Sequence, residues 1–358
     1  MSELSFTLHP YRIPLSRPLP VGKQRISERQ GLVLVATLAD TNADASARPL
    51  QAFADIAPLS GLDMDGAPIM GFSQESLDDC REWLLSHLPG IHSLEALEQA
   101  ADTAPLPAVG WGLGVIAATL QGQLPAAKPK ASVPLMYLQQ DEPVDALTAR
   151  VARLSPTTRF VKIKVAQTSM ETELKLVHGV LAARPDLKLR LDANQGFSLE
   201  QAIDFCACLP ADAIDYIEEP CLNEHDHGAL FRATGIHFSL DESLSLDNFH
   251  FPDDVQASGL RALILKPMLL GSPARVQALI DEAHERGLRC VISSSLESSL
   301  GIDALARFAA AVTPDEAPGL DTLDAFEVDC VVPSGKARRL MPDAPSDIQG
   351  AEIGASLL

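Results

Sequence analysis

From Val133 to Thr322 the chain repeats one rhythm. A short run of apolar and β-branched residues is followed by a stretch with apolar residues at helical spacing. The strand-like runs are 133–138, 160–165, 187–194, 214–220, 237–243, 261–267, 289–295 and a short one near 319–322. Helical patterns fill most gaps, as at 170–183, 199–209 and 273–286, with 244–259 the weakest. Strands joined by helical crossovers pair in parallel, and eight of them predict a (β/α) barrel rather than an open sheet.

The strand ends carry a second pattern. Lys164, Asp192, Glu218, Asp241, Lys266 and Ser293 follow one another at intervals of 28, 26, 23, 25 and 27 residues, about one βα unit each. In a barrel, the C-terminal strand ends and the loops after them form the active face, so these residues converge there. Three carboxylates crowded into a cleft repel one another, and some stay protonated unless a cation sits between them. An all-oxygen set suits magnesium, with manganese as a substitute, and the lack of nearby His or Cys argues against zinc.

Side chains alternate along a strand with a period of two, which sorts the remaining candidates. Lys162 and Lys164 share a face. Glu218 shares the inward face with Tyr216, whereas Glu219 faces the helices or turns to a neighbouring strand end. Arg190, Asp192 and Asn194 share a face. Asn194 is then a candidate for supporting the site or touching substrate. Arg190 is a candidate for a substrate carboxylate or for an ion pair with the acids. Two lysines beside a cation site suit removal of a proton next to a carboxylate, with the cation stabilising the enediolate. Lys162 and the cation would both disfavour the protonated form of Lys164. Magnesium with a lysine base is a pattern shared by a whole enzyme class.

The first 125 residues read differently. Strands are predicted at 6–13, 31–38 and 51–56, with a polar loop at 18–29, a hairpin connection at 40–49 and a Gly/Pro-rich loop at 57–70. Helices follow from 73, 94 and 108. This is an α+β module, 1–125, completed by the tail from about 324 to 358, beside a barrel at 126–323. The formal net charge of −20 excludes a general affinity for nucleic acid or an anionic membrane. It still permits a small anionic substrate. No secretory signal or membrane span is read, and the six scattered cysteines imply reduced thiols, so a cytoplasmic protein is expected. Cys206 and Cys208, two apart on a helix, do not face each other. His225 and His227 read as a solvated loop after the fourth barrel strand.

K-I-K-V at 162–165, L-D-A-N at 191–194, I-E-E-P at 217–220, L-D-E-S at 240–243, L-K-P at 265–267 and S-S-S-L-E-S-S-L-G at 293–301 together resemble the enolase superfamily, muconate-lactonizing subgroup. With G-F-S-Q-E-S at 71–76 and P-G-L-D-T-L-D at 318–324, the wording is most similar to the o-succinylbenzoate synthase family of menaquinone biosynthesis. The resemblance implies a modified TIM barrel with an α+β capping domain, and Lys164 as general base. It further implies Lys266 as the group stabilising the enediolate and Lys162 as the residue tuning Lys164. Asp192, Glu218 and Asp241 become magnesium ligands. Asn194, Arg190, Ser293, Ser294, Ser295 and Gly319 become substrate contacts. Loops at 21–25 and 60–72 would lie over a dicarboxylate substrate. The reaction implied is a syn elimination of water from 2-succinyl-6-hydroxy-2,4-cyclohexadiene-1-carboxylate, giving 2-succinylbenzoate. The connections at 40–49 and 60–70 are long for that family.

Other readings compete. A racemase or epimerase of N-acyl amino acids or dipeptides would use the same lysines as opposed bases. A barrel kept for binding alone would need none of them, and a Schiff-base aldolase would use Lys266 covalently. Walker and Rossmann glycine loops are absent, so a nucleotide enzyme is not supported. The oligomeric state is open, and a monomer is compatible with the sequence.

Overall fold

Apolar alternation runs through the first forty positions with fewer breaks than the prolines suggest. The computed structural model, which describes residues 2–22, 24–40, 49–70, 72–124, 132–139, 142–246 and 249–330, shows why. Two long strands, β1 (Ser2–Val21) and β2 (Gln24–Asp40), pair antiparallel, and β3 (Leu50–Ile56) pairs on the far side of β2. The polar loop expected at 18–29 is instead the end of this hairpin, with Leu19–Ile26 and Val21–Gln24 in register. Leu19, Val21 and Ile26 are buried, and Gly22 takes the left-handed φ of +58° that the turn needs. Prolines at 14, 18 and 20 are tolerated because β1 is an edge strand, and the register slips between Pro14 and Leu19. The 40–49 connection lies almost wholly outside the described residues, as does the tail beyond 330.

These strands belong to one of two compact units, made of Met1–Ala131, Leu265–Glu282 and Ile292–Leu358. Its helices include α1 (Leu77–His87), α2 (Leu94–Thr103) and α3 (Pro107–Leu120). A reciprocal capping box between Ser76 and Asp79 starts α1. Buried almost all round, α3 carries three glycines at alternate positions. A Cβ on Gly114 would lie 2.2 Å from Cδ of Pro273. Gly114→Ala is therefore expected to lower stability. Overpacking costs about 1–3 kcal/mol, more than the roughly 1 kcal/mol gained in helix propensity. An unchanged or raised melting temperature would show that Pro273 yields to the methyl group.

The second unit, Ser132–Ile264 with Ala283–Val291, holds most of the parallel sheet. Its strands are β4 (Leu135–Met136), β5 (Phe160–Lys164), β6 (Lys188–Asp192), β7 (Ile214–Glu218), β8 (Phe238–Leu240), β9 (Leu260–Leu265) and β10 (Arg289–Ile292). They lie side by side in sequence order. The connecting helices are α4 (Val144–Ala152), α5 (Met170–Ala183), α6 (Leu199–Ala207), α7 (His227–Thr234) and α8 (Val255–Ser258). Next in the chain come α9 (Pro267–Leu270), α10 (Pro273–Glu285) and α11 (Ser299–Val312). Consecutive parallel neighbours with helical crossovers are the progression of a (β/α) barrel, as the rhythm predicts. Tyr216, Ala262, Ile264 and Val291 pack as a buried cluster, the filled interior typical of such a sheet. The weak helical pattern at 244–259 yields only the four-residue α8. The eighth strand expected near 319–322 shrinks to a single parallel bridge, Ser293–Gly319. Among the described residues, no helix is long and apolar enough to cross a membrane.

Candidate active site

Val161 and Ile163 on β5 are fully buried, which sends Lys162 and Lys164 to the other face. Parallel register then sets heights. Lys164 pairs with Asp192 and Asp192 with Glu218, so one side chain from each of β5, β6 and β7 meets at the same level. The Lys162 ammonium lies 2.8 Å from both carboxylate oxygens of Glu218 and 2.9 Å from Oδ2 of Asp192. Lys164 Nζ lies 3.1 Å from that same Oδ2. Asp192 and Glu218 are 2% and 1% exposed, too deep for water to screen these pairs. Burial works against the charge on Lys162. Asp192, Glu218 and Asp241 more than offset this and hold its pKa well above the ordinary lysine range.

The donors fit a hard divalent cation. Asp192, Glu218 and Asp241 are all buried and offer only oxygen. Two of them already enclose a point of positive charge, the Lys162 ammonium. Among the described residues no three His, Cys, Asp or Glu side chains are gathered as they would be around a bound metal ion. A cation bound by these acids would share them with Lys162.

Loops after three successive strands carry non-glycine residues at positive φ: Ala166 at +58°, Asn194 at +43°, Gln195 at +57° and Glu219 at +40°. Such backbone persists only where its surroundings fix it. After β5, the buried Glu173 accepts from the backbone N–H groups of Ala166, Gln167 and Thr168 at 2.7–2.8 Å. After β7, Glu219 accepts from the N–H groups of Asp241 and Ser243 and from the Ser243 hydroxyl, each at 2.9 Å. Glu219 thus turns to the neighbouring strand end, one of the two outcomes that parity allowed. Its burial raises its pKa, against the pull of those donors. After β6, Asn194 accepts from Lys164 through Oδ1 and donates from Nδ2 to Glu242 at 2.6 Å.

Arg190 is not brought to this level. Its Nε donates to Asp215 at 3.0 Å, and its guanidinium lies 4.5 Å from the Phe160 ring centre. Asp215 also takes Arg289 at 2.8 Å and Arg261 at 3.5 Å. Burial opposes the Asp215 charge, but Arg289 and Arg190 hold its pKa below the usual carboxylate range. Arg190 is thus held in a buried ion pair with Asp215. Its register partner on β5 is Lys162, which does reach Asp192 and Glu218, so neither parity nor height decides which acid each cation takes. His227, read as solvated, is buried beside Phe238, and burial takes its pKa down to about 4, while His225 is exposed.

The other unit holds the remaining candidates. Lys266 follows β9, is buried, and has its ammonium 5.6 Å from the Phe72 ring centre. Ser293 donates from Oγ to the Gly319 carbonyl, and Ser294 shares a hydrogen bond with Thr322. Ser295 donates its N–H to the buried Glu297. Sequence reasoning missed Glu173, Glu242, Asp215 and Glu297. All four are acids in helices, loops or strand starts, where no strand-end spacing singles them out.

Residues 144–345 match the model of the enolase C-terminal domain-like family. The chain is 35% identical over 347 residues to an o-succinylbenzoate synthase of Yersinia pseudotuberculosis serotype O:3, covering 95% of this chain and 94% of that protein. An o-succinylbenzoate synthase from Thermosynechococcus elongatus, solved with magnesium in its active site, superposes with a TM-score of 0.66 at 24% identity over 90% of this chain and 94% of that one. A dipeptide epimerase from Enterococcus faecalis, solved with magnesium and L-Leu-L-Tyr, gives 0.71 at 18% over 99% and 98%. These structural likenesses establish the shared fold. With over half its length matched by the family model and a relative spanning nearly all of it, the chain belongs to the enolase superfamily of enzymes.

Proposed function

We propose that this enzyme is an o-succinylbenzoate synthase. It would dehydrate 2-succinyl-6-hydroxy-2,4-cyclohexadiene-1-carboxylate to 2-succinylbenzoate in menaquinone biosynthesis. The observation that carries the substrate is the 35% identity to a synthase of that name over nearly the full chain. The buried lysine–carboxylate set supports proton abstraction beside a carboxylate. Lys164 takes the proton at C1 and returns it to the departing hydroxyl as water leaves, so one base serves both halves of a syn elimination. Lys162 stays charged and pairs with Asp192 and Glu218. Lys266 carries the assigned role of opposing the developing negative charge. Magnesium, held by Asp192, Glu218 and Asp241, would supply electrostatic stabilisation as that charge grows. Residues 1–125 with the tail from about 324 to 358 are assigned as the α+β capping domain, and 126–323 as the (β/α) barrel domain.

The superposition on a dipeptide epimerase keeps one rival in view. An epimerase needs a base on each side of the substrate carbon, with Lys266 facing Lys164. A spectroscopic assay on the cyclohexadiene acid separates the two. Aromatic product is expected, lost with EDTA and restored by magnesium. Racemisation of N-succinyl amino acids or dipeptides without dehydration would replace the synthase by the epimerase.

A further inference from the structure

Asn194 stands between two groups of opposite hydrogen-bonding character. The Lys164 ammonium offers only donors, and Glu242 presents Oε1 as an acceptor. A single orientation of the amide serves both, with Oδ1 toward Lys164 and Nδ2 toward Glu242. The backbone narrows the choice further. At φ +43° the residue occupies the left-handed region, which Gly, Asn and Asp tolerate best. Glycine would fit there without an amide. Aspartate would fit but set a second acceptor against Glu242.

Glu242 is itself held firmly. It opens the one-turn helix Glu242–Ser245 after β8, and its flanking residues Asp241 and Ser243 both donate their N–H groups to Glu219. A continuous line of contacts runs from the end of β7 through Glu219, the 241–243 backbone, Glu242 and Asn194 to Nζ of Lys164.

We propose that Glu242 is a positioning residue acting through Asn194. It locks the amide so that its carbonyl holds the Lys164 ammonium beside Asp192 and returns Nζ to one place after each proton transfer. This rests on the reading of Lys164 as the base. It also moves Asn194 from a substrate contact to a support of the base, since both ends of its amide are committed.

The test is steady-state kinetics on Glu242→Ala, Glu242→Gln, Asn194→Gly and the Asn194→Gly/Glu242→Ala pair. Glycine keeps the left-handed backbone without strain. Glu242→Ala is expected to lower kcat about ten- to a hundredfold, the scale of a misplaced reacting group, with KM within about threefold. Glutamine still offers an acceptor and should recover most of that loss. The double variant should be no slower than Asn194→Gly alone, because one residue acts through the other. The primary deuterium isotope effect at C1 should rise in Glu242→Ala as proton abstraction becomes more rate-limiting. Unchanged kcat, losses that multiply in the double variant, or a rise in KM alone would overturn the proposal. If the wild type exchanges an amino-acid α-proton instead of dehydrating the cyclohexadiene acid, the synthase reading fails. The same variants, scored by that exchange, still decide the role of Glu242.

Discussion

Lys164→Ala is expected to abolish dehydration of the cyclohexadiene acid, with kcat down by about a thousandfold or more. A positioned general base contributes about 10²–10⁴ in rate, and this one would serve both proton transfers. Lys162, although on the same strand face, cannot take over. Its ammonium is bound by both oxygens of Glu218 and by Asp192, and those acids keep it charged, so it has no free electron pair to accept a proton. The carboxylates survive the substitution, so a magnesium-induced rise in melting temperature should persist in the variant. Turnover near the wild-type rate would show that the base lies elsewhere. Loss of the thermal shift together with activity would show that Lys164 builds the cation site rather than serving chemistry.

That this prediction could be framed from the sequence follows from two periods. The βα repeat places one residue per unit at a strand end, and the strand period of two chooses Glu218 over Glu219. The register of β5, β6 and β7 puts Lys164, Asp192 and Glu218 level, as those periods require. Parity does not encode which acid a cation takes: Arg190 and Lys162 lie level in the register, yet Arg190 donates to Asp215 and Lys162 to Glu218 and Asp192. The long hairpin was hidden for a different reason. Prolines and a glycine between Pro14 and Gly22 read as loop signals, yet an edge strand accepts proline because its outer N–H groups have no ladder partner. Glu173 and Glu242 were invisible because what each binds, backbone N–H groups or a side-chain amide, follows from loop geometry and not from residue spacing.

The second large effect concerns stability. Glu297 lies in the loop after β10, fully buried. Its Oε2 accepts from the Ser295 N–H at 2.7 Å, while Oε1 has no hydrogen-bond partner. Arg29 cannot help much, since its guanidinium donates to the carbonyls of Leu296, Ala57 and Pro58. Asp55, bound by Tyr11 and Ser298, adds like charge. Burial, chiefly, pushes the Glu297 pKa up to about 7, from about 4.5 in an unfolded chain. An acid whose folded pKa is raised binds its proton more tightly when folded. Its stability contribution is therefore complete below pH about 4.5 and is lost as pH rises through 7. The full loss is about 3 kcal/mol. Glu297→Gln removes that dependence and keeps an acceptor for Ser295. It places an amide N–H where Oε1 found no partner, which costs about 1 kcal/mol. The variant should then be more stable than wild type by about 2 kcal/mol at pH 8 and slightly less stable at pH 4.5. Urea unfolding at the two pH values should show the curves crossing. Parallel curves would mean that Glu297 is ionised throughout, with a counter-charge or water solvating Oε1. The same loop carries Ser293–Ser295 and Leu296 at a φ of +64°, so the acid that destabilises it at high pH sits beside residues assigned to the substrate. Opening of this segment, read by amide exchange, should accordingly speed up above pH 7 in wild type and not in Glu297→Gln.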